Sequence, residues 1–142
     1  MTEYEIIDAI CDSVNPILFF VAIGVGVSWL SKSKFQDAKL VFGFLIGGLL
    51  MVYGIQFLDS KFSIWRFFGG DYSTHTGFAI AVSVSISVGT QWAKWLALLV
   101  TIYAIAMLYQ KYHSIFDIAS TAIIIGTPLV LIKKSTNLFQ RT

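Results

Sequence analysis

Between Leu40 and Leu58 the chain runs for nineteen residues without a charged side chain. Few environments accept such a run. A hydrocarbon layer about 30 Å thick is crossed by about 20 apolar residues of helix. Inside that layer every backbone N–H and C=O must find a partner within the protein, which leaves only helices and closed barrels. Four more apolar stretches accompany this one, at about 16–30, 76–89, 92–109 and 115–132. The composition agrees: 56% of residues are hydrophobic, 13% are charged, and the mean hydropathy is +0.75. A soluble domain carries roughly 25% charged residues. The reading is an all-α integral membrane protein, one domain over residues 1–142. It is a bundle of about five transmembrane helices with the lipid bilayer as its solvent.

The individual stretches differ. The first and third are short for a span and need flanking residues, tilt or local thinning of the bilayer. The third, Ala81-Val82-Ser83-Val84-Ser85-Ile86-Ser87-Val88, alternates like a strand. A lone strand in lipid would leave its backbone unpaired, so a helix beginning near Thr76 is expected. Asn15-Pro16 signals the start of the first span. Ahead of it, residues 1–13 carry four acids and no Lys or Arg, unlike a signal peptide. Ile6, Ile7, Ile10 and Val14 recur at helical spacing. This segment reads either as an amphipathic interfacial helix or as a frayed acidic tail. Cys11 is the lone cysteine, which excludes an internal disulfide. A net charge of +2 gives no argument for nucleic acid as a partner.

Basic residues in short connections orient a bundle. With five crossings, the 31–39 loop, the 89–94 turn and the C-terminus share one side. They hold Lys32, Lys34, Lys39, Lys94, Lys133, Lys134 and Arg141. The other side holds Lys61, Arg66 and Lys111. Seven against three places the C-terminus in the cytoplasm and the N-terminus outside, in a multi-pass protein of the cell inner membrane.

The chain has two histidines, His75 and His113. Each begins an apolar stretch, and two crossings separate them. Both therefore belong to the outer face. Lys61, Arg66, Asp71 and Ser73 precede His75 in the loop on that face. Asp117 follows His113 by one helical turn and shares its side of the helix. A carboxylate inside an apolar stretch is expensive, and by default it is a functional candidate. Two histidines, a carboxylate and a basic pair suit phosphoryl chemistry. Cations and helix-start amides hold phosphate oxygens, one histidine attacks phosphorus, and a second protonates the leaving oxygen. Two histidines and an aspartate can also bind zinc or iron. The neighbouring cations argue against a metal, and no cofactor is expected.

At these residues the sequence resembles a known family. Gly70-Asp71-Tyr72-Ser73-Thr74-His75-Thr76 resembles the S-G-H-T motif of the type 2 phosphatidic acid phosphatase superfamily. The preceding Gly-Gly-Asp looks closest to the C-G-D…S-G-H-T form of its sphingomyelin-synthase-like branch. His113-Ser114-Ile115-Phe116-Asp117-Ile118 resembles that branch's H-Y-[ST]-x-D-V motif. The resemblance covers about residues 57–125, and the two motifs open the third and fifth apolar stretches in the family's order. It implies that His113 is the nucleophile that forms a phosphohistidine. Asp117 would orient it, His75 would be the general acid, and Ser73 with the 73–75 backbone would hold phosphate oxygens. The chain departs from the pattern at several points. Thr74 stands where the motif has Gly. Lys61 and Arg66 are separated by four residues rather than six, and Phe67 follows in place of Pro. Met107 stands where the wider superfamily has an Arg that the sphingomyelin-synthase-like branch also lacks, and Lys111 is the candidate substitute. The common core has about one helix more.

Three functions fit this reading. The first is a lipid phosphate phosphatase or phosphotransferase whose substrate is a membrane lipid phosphate at the outer leaflet. The second is a non-catalytic relative that binds a lipid headgroup or a partner protein. The third is a small transporter or membrane assembly subunit. Small-residue faces such as Ala79, Ser83 and Ser87 also leave room for an oligomer.

Overall fold

The computed structural model describes residues 2–139. Every regular element among them is helical: α1 Glu3–Ser31, α2 Phe35–Phe62, the single turn α3 Ile64–Phe67, α4 Thr74–Ile86, α5 Ala93–Tyr109, α6 Ile115–Thr121 and α7 Thr127–Phe139. A π-helical turn, Ala122–Gly126, joins α6 to α7. Three segments are long and apolar enough to cross a membrane, namely Glu5–Ser31, Phe35–Phe62 and Ile115–Thr136. Two further apolar helices, α4 and α5, are shorter. Large apolar side chains such as Phe20, Leu50, Phe57 and Trp95 point outward. That surface suits hydrocarbon rather than water.

α1 starts earlier than Asn15-Pro16 suggests. Thr2 and Glu5 form a reciprocal capping box: the Thr2 N–H donates to Glu5 Oε2 (2.8 Å), and the Glu5 N–H donates to Thr2 Oγ1. The helix then continues straight through Pro16. Residues 3–13 are its first turns, neither a separate interfacial helix nor a tail. The reason is packing. Cys11, Leu18 and Ala22 are buried in one cluster, with Ile7 and Val14 beside it. Their spacing of three, four and seven draws one seam across the proline. Pro16 removes one ladder hydrogen bond, and the seam outweighs that loss.

α4 is the centre of the bundle, packed by α1, α2, α5 and the Ile115–Gly126 segment. Its alternating sequence is helical, as the bilayer argument requires. Thr76, Gly77, Ala79, Ala81, Val82, Ser83, Ser85 and Ile86 are all buried, so most of the helix is covered and it shows no polar stripe. Small residues let its neighbours close in. A Cβ on Gly48 of α2 would lie 2.9 Å from Ala81 Cβ. The Ser85 hydroxyl donates to the Val41 carbonyl, which satisfies a polar group in an apolar place.

The last apolar stretch is broken where Gly126 and Pro128 fall. Pro128 cannot donate to the carbonyl four residues earlier. The π turn over Ala122–Gly126 absorbs the mismatch, and the helix resumes as α7.

Candidate functional site

Two helix starts meet at one end of the bundle. Ser73 caps α4, its hydroxyl accepting the Thr76 N–H at 3.4 Å. The Ser73 N–H donates to Thr121 Oγ1 at 3.1 Å, which ties the α4 start to α6. Ser114 caps α6 in the same manner, its Oγ accepting the Asp117 N–H at 3.2 Å. Asp117 completes the box, with Oδ2 accepting the Ser114 N–H at 2.7 Å. The other carboxylate oxygen, Oδ1, accepts the Asp71 N–H at 2.7 Å. Asp117 is buried, 5% exposed. It clamps the loop before α4 to the first turn of α6. Gly70 permits the approach, since a Cβ there would meet Asp117 Oδ1 at 2.6 Å and the Phe116 ring at 2.7 Å.

The clamp brings His75 and His113 together. Their ring centroids lie 6.5 Å apart, with planes at 53°. Both line a cleft of about 590 Å³, with Arg66, Thr74, Asp59 and Asp71 among its walls. A second, apolar cleft of about 450 Å³ adjoins it between α1, α2 and α4. Phe19, Phe20, Leu49 and Phe78 line that one, and Thr74 and His75 belong to both.

His75 is exposed on the cleft and anchored at its rear. Its Nδ1 lies 3.4 Å from Tyr103 Oη and 3.5 Å from Asn15 Nδ2. The Asn15 amide also donates to the His75 carbonyl at 3.4 Å. Tyr103 Oη can donate to a bare Nδ1 or accept from Nδ1–H, according to the protonation of the ring.

His113 is half-buried. Its Nδ1 is enclosed and has no hydrogen-bond partner, and the residue lines the cleft. Burial pushes the ring's pKa below the ordinary 6.5, and nearby His75 adds to that. The Asp117 and Asp71 carboxylates pull the other way without reversing it. The ring is therefore neutral at pH 7.

The sequence-derived site residues divide. His75, His113, Arg66 and Thr74 share the cleft. Asp117 sits beside it, but hydrogen-bonds no His113 nitrogen, contrary to the i, i+4 expectation. Both its oxygens are taken by the Ser114 and Asp71 N–H groups. Ser73 is fully buried, with its hydroxyl 2.8 Å from Thr76 Oγ1. It caps α4 and does not line the cleft. Lys61 turns its ammonium to the Phe57 ring, 5.7 Å from the centroid. Lys111 is exposed in a left-handed turn (φ 59°). Neither lysine lines the cleft. Asp59 and Asp71 do, so the cleft is less cationic than the sequence suggests.

The structure adds Asn15, Tyr103 and Gly70 to the residues that shape the site. Tyr103 is a polar group set in an apolar run, the same signal that marks Asp117, and Asn15 stands at the edge of one. Gly70 carries no such signal, because its role is the space it leaves. Among the described residues no group of three His, Cys, Asp or Glu side chains is placed to hold a metal ion.

No family model, curated protein or solved structure matches this chain.

Proposed function

We propose that the chain is a lipid phosphate phosphatase or phosphotransferase acting through a phosphohistidine on His113. The observation that carries this reading is the 6.5 Å approach of the two imidazole rings across a polar cleft. His113 Nε2 attacks phosphorus, and the bond from phosphorus to the lipid oxygen breaks. His75, as the imidazolium, gives its Nε2 proton to that oxygen as it leaves and keeps the proton on Nδ1. Water or a lipid hydroxyl then attacks the phosphohistidine and gives its proton to His75, which restores both rings. Arg66 and the Thr74 hydroxyl are the groups available to the non-bridging oxygens. The adjoining apolar cleft supports a lipid as substrate, because His75 and Thr74 stand where it joins the polar one.

The membrane arrangement belongs to the same proposal. α1, α2, α4, α5 and the segment from Ile115 onward make five crossings in a multi-pass inner-membrane protein, N-terminus outside and C-terminus in the cytoplasm. The histidines then face the outer leaflet. At 1.5 Å per residue, the thirteen residues of α4 rise only about 20 Å. The site is thus recessed or the bilayer locally thin.

A second reading has its own support. Lys61, Lys111 and Ser73 stand off the cleft, and Asp59 and Asp71 stand on it. That pattern favours a relative that binds a headgroup without turnover. Purified protein assayed against a panel of lipid phosphates separates the two. Release or transfer of phosphate by the wild type, abolished in His113→Ala, is the expected result. Binding without turnover in the wild type would replace the enzyme with the second reading.

A further inference from the structure

At the end of α4 opposite the histidines lies a groove of about 450 Å³, floored by α4 and walled by α5 and α7. Its size is that of a ligand site, roughly 300–1,000 Å³. Ser83, Val84, Ala97 and Val130 line its apolar length, and Lys133 and Lys134 stand at its end.

Two polar features do not belong to an empty apolar seam. Ser83 lines the groove, is 7% exposed, and has an enclosed hydroxyl with no hydrogen-bond partner. Lys133 is half-buried and donates to the Ser87 carbonyl at 3.0 Å and to Ser87 Oγ at 2.6 Å. An ammonium has three donors, so one remains. Among the described residues no carboxylate pairs with its charge.

We infer that this groove holds one anionic phospholipid, with an acyl chain along Ser83, Ala97 and Val130 and the phosphate against Lys133 and Lys134. Charge decides the occupant. The segments at this end, 31–39, 89–94 and 133–134, carry six lysines and one carboxylate, Asp37. A second copy of the chain would bring lysines to lysines. A zwitterionic lipid would bring a cation along with its phosphate. An anionic headgroup supplies the missing charge, and each lysine near it strengthens binding about fivefold.

The site is independent of the histidine chemistry, and so is its test. Delipidated protein is titrated with phosphatidylglycerol or phosphatidylcholine of identical chains, and bound lipid is counted by native mass spectrometry. One phosphatidylglycerol should bind, at least about fivefold tighter than phosphatidylcholine. Lys134→Gln should erase about that factor. Lys133→Gln should do the same, since its amide can still donate to Ser87. Ser83→Phe, which fills the groove, should abolish binding of both lipids. Thermal unfolding identifies a variant that fails to fold, and the exposed Lys134 keeps the test alive if Lys133 or Ser83 does. Equal affinity for the two lipids would overturn the site. Binding unmoved by Lys134→Gln would overturn it too, as would a dimer that buries the groove and takes up no lipid.

Discussion

Tyr103 Oη lies 3.4 Å from Nδ1 of His75, reaching it from the buried seam between α1 and α5. The contact couples an exposed ring to the core of the bundle. On the proposed mechanism Tyr103 Oη accepts from Nδ1–H of the imidazolium, which aims the Nε2 proton at the leaving oxygen. Tyr103→Phe removes the hydroxyl and keeps the ring packing. It should lower kcat on a lipid phosphate about fivefold, the worth of one hydrogen bond of about 1 kcal/mol. A phosphate ester with a good leaving group should be hydrolysed at an unchanged rate, because it needs no proton. Equal losses on both substrates would show that Tyr103 serves the fold instead.

Gly70 and Asp117 form one device. Gly70→Ala drives a methyl group against Asp117 Oδ1 and the Phe116 ring. It should destabilise the protein by about 1–3 kcal/mol. Asp117→Ala strands the Asp71 and Ser114 N–H groups and should cost about as much. Thermal unfolding in detergent measures both. Because the two changes damage the same contact, the double variant should lose less than the sum of the singles. Strict additivity would separate Gly70 from the clamp.

The depressed pKa of His113 predicts a pH response with a definite sign. Protonation is disfavoured in the folded state, so the unfolded chain binds more protons just below pH 6.5. Stability therefore rises with pH through that window and is complete above it. Acidification below about 6.5 should lower the unfolding temperature of the wild type more than that of His113→Gln. If the protein is the proposed enzyme, the acid limb of kcat/KM should also fall below 6.5. An acid limb above 6.5 would assign the titration to another group.

The proposed topology is tested by reporter fusions before Met1 and after Thr142. The first should report outside and the second cytoplasm. The reverse result would move both histidines to the cytoplasmic face and exclude an outer-leaflet substrate.

Much of the architecture was legible in the residue pattern. Charge-free runs set the helical class, because lipid leaves backbone polar groups no other solution. The same argument read the alternating Ala81–Val88 stretch as a helix rather than a strand. The order of the apolar stretches put His75 and His113 at one end of the bundle, where their rings are 6.5 Å apart. These are properties of a one-dimensional pattern in an anisotropic solvent, so sequence carries them. Side-chain partners are another matter. Asp117 is one turn from His113 along the chain, yet its carboxylate serves two backbone N–H groups, one of them 46 positions away. Asn15-Pro16 is a local start signal, and a seam from Ile7 to Ala22 carries the helix through it. Lys61, expected in the loop before His75, stands in the last turn of α2 and turns to Phe57, while Asn15 and Tyr103 arrive at His75 from helices that sequence leaves unrelated to it. Periodicity determines which face of a helix is apolar. Only packing in three dimensions decides which neighbour that face meets, and therefore which polar group is left free to act.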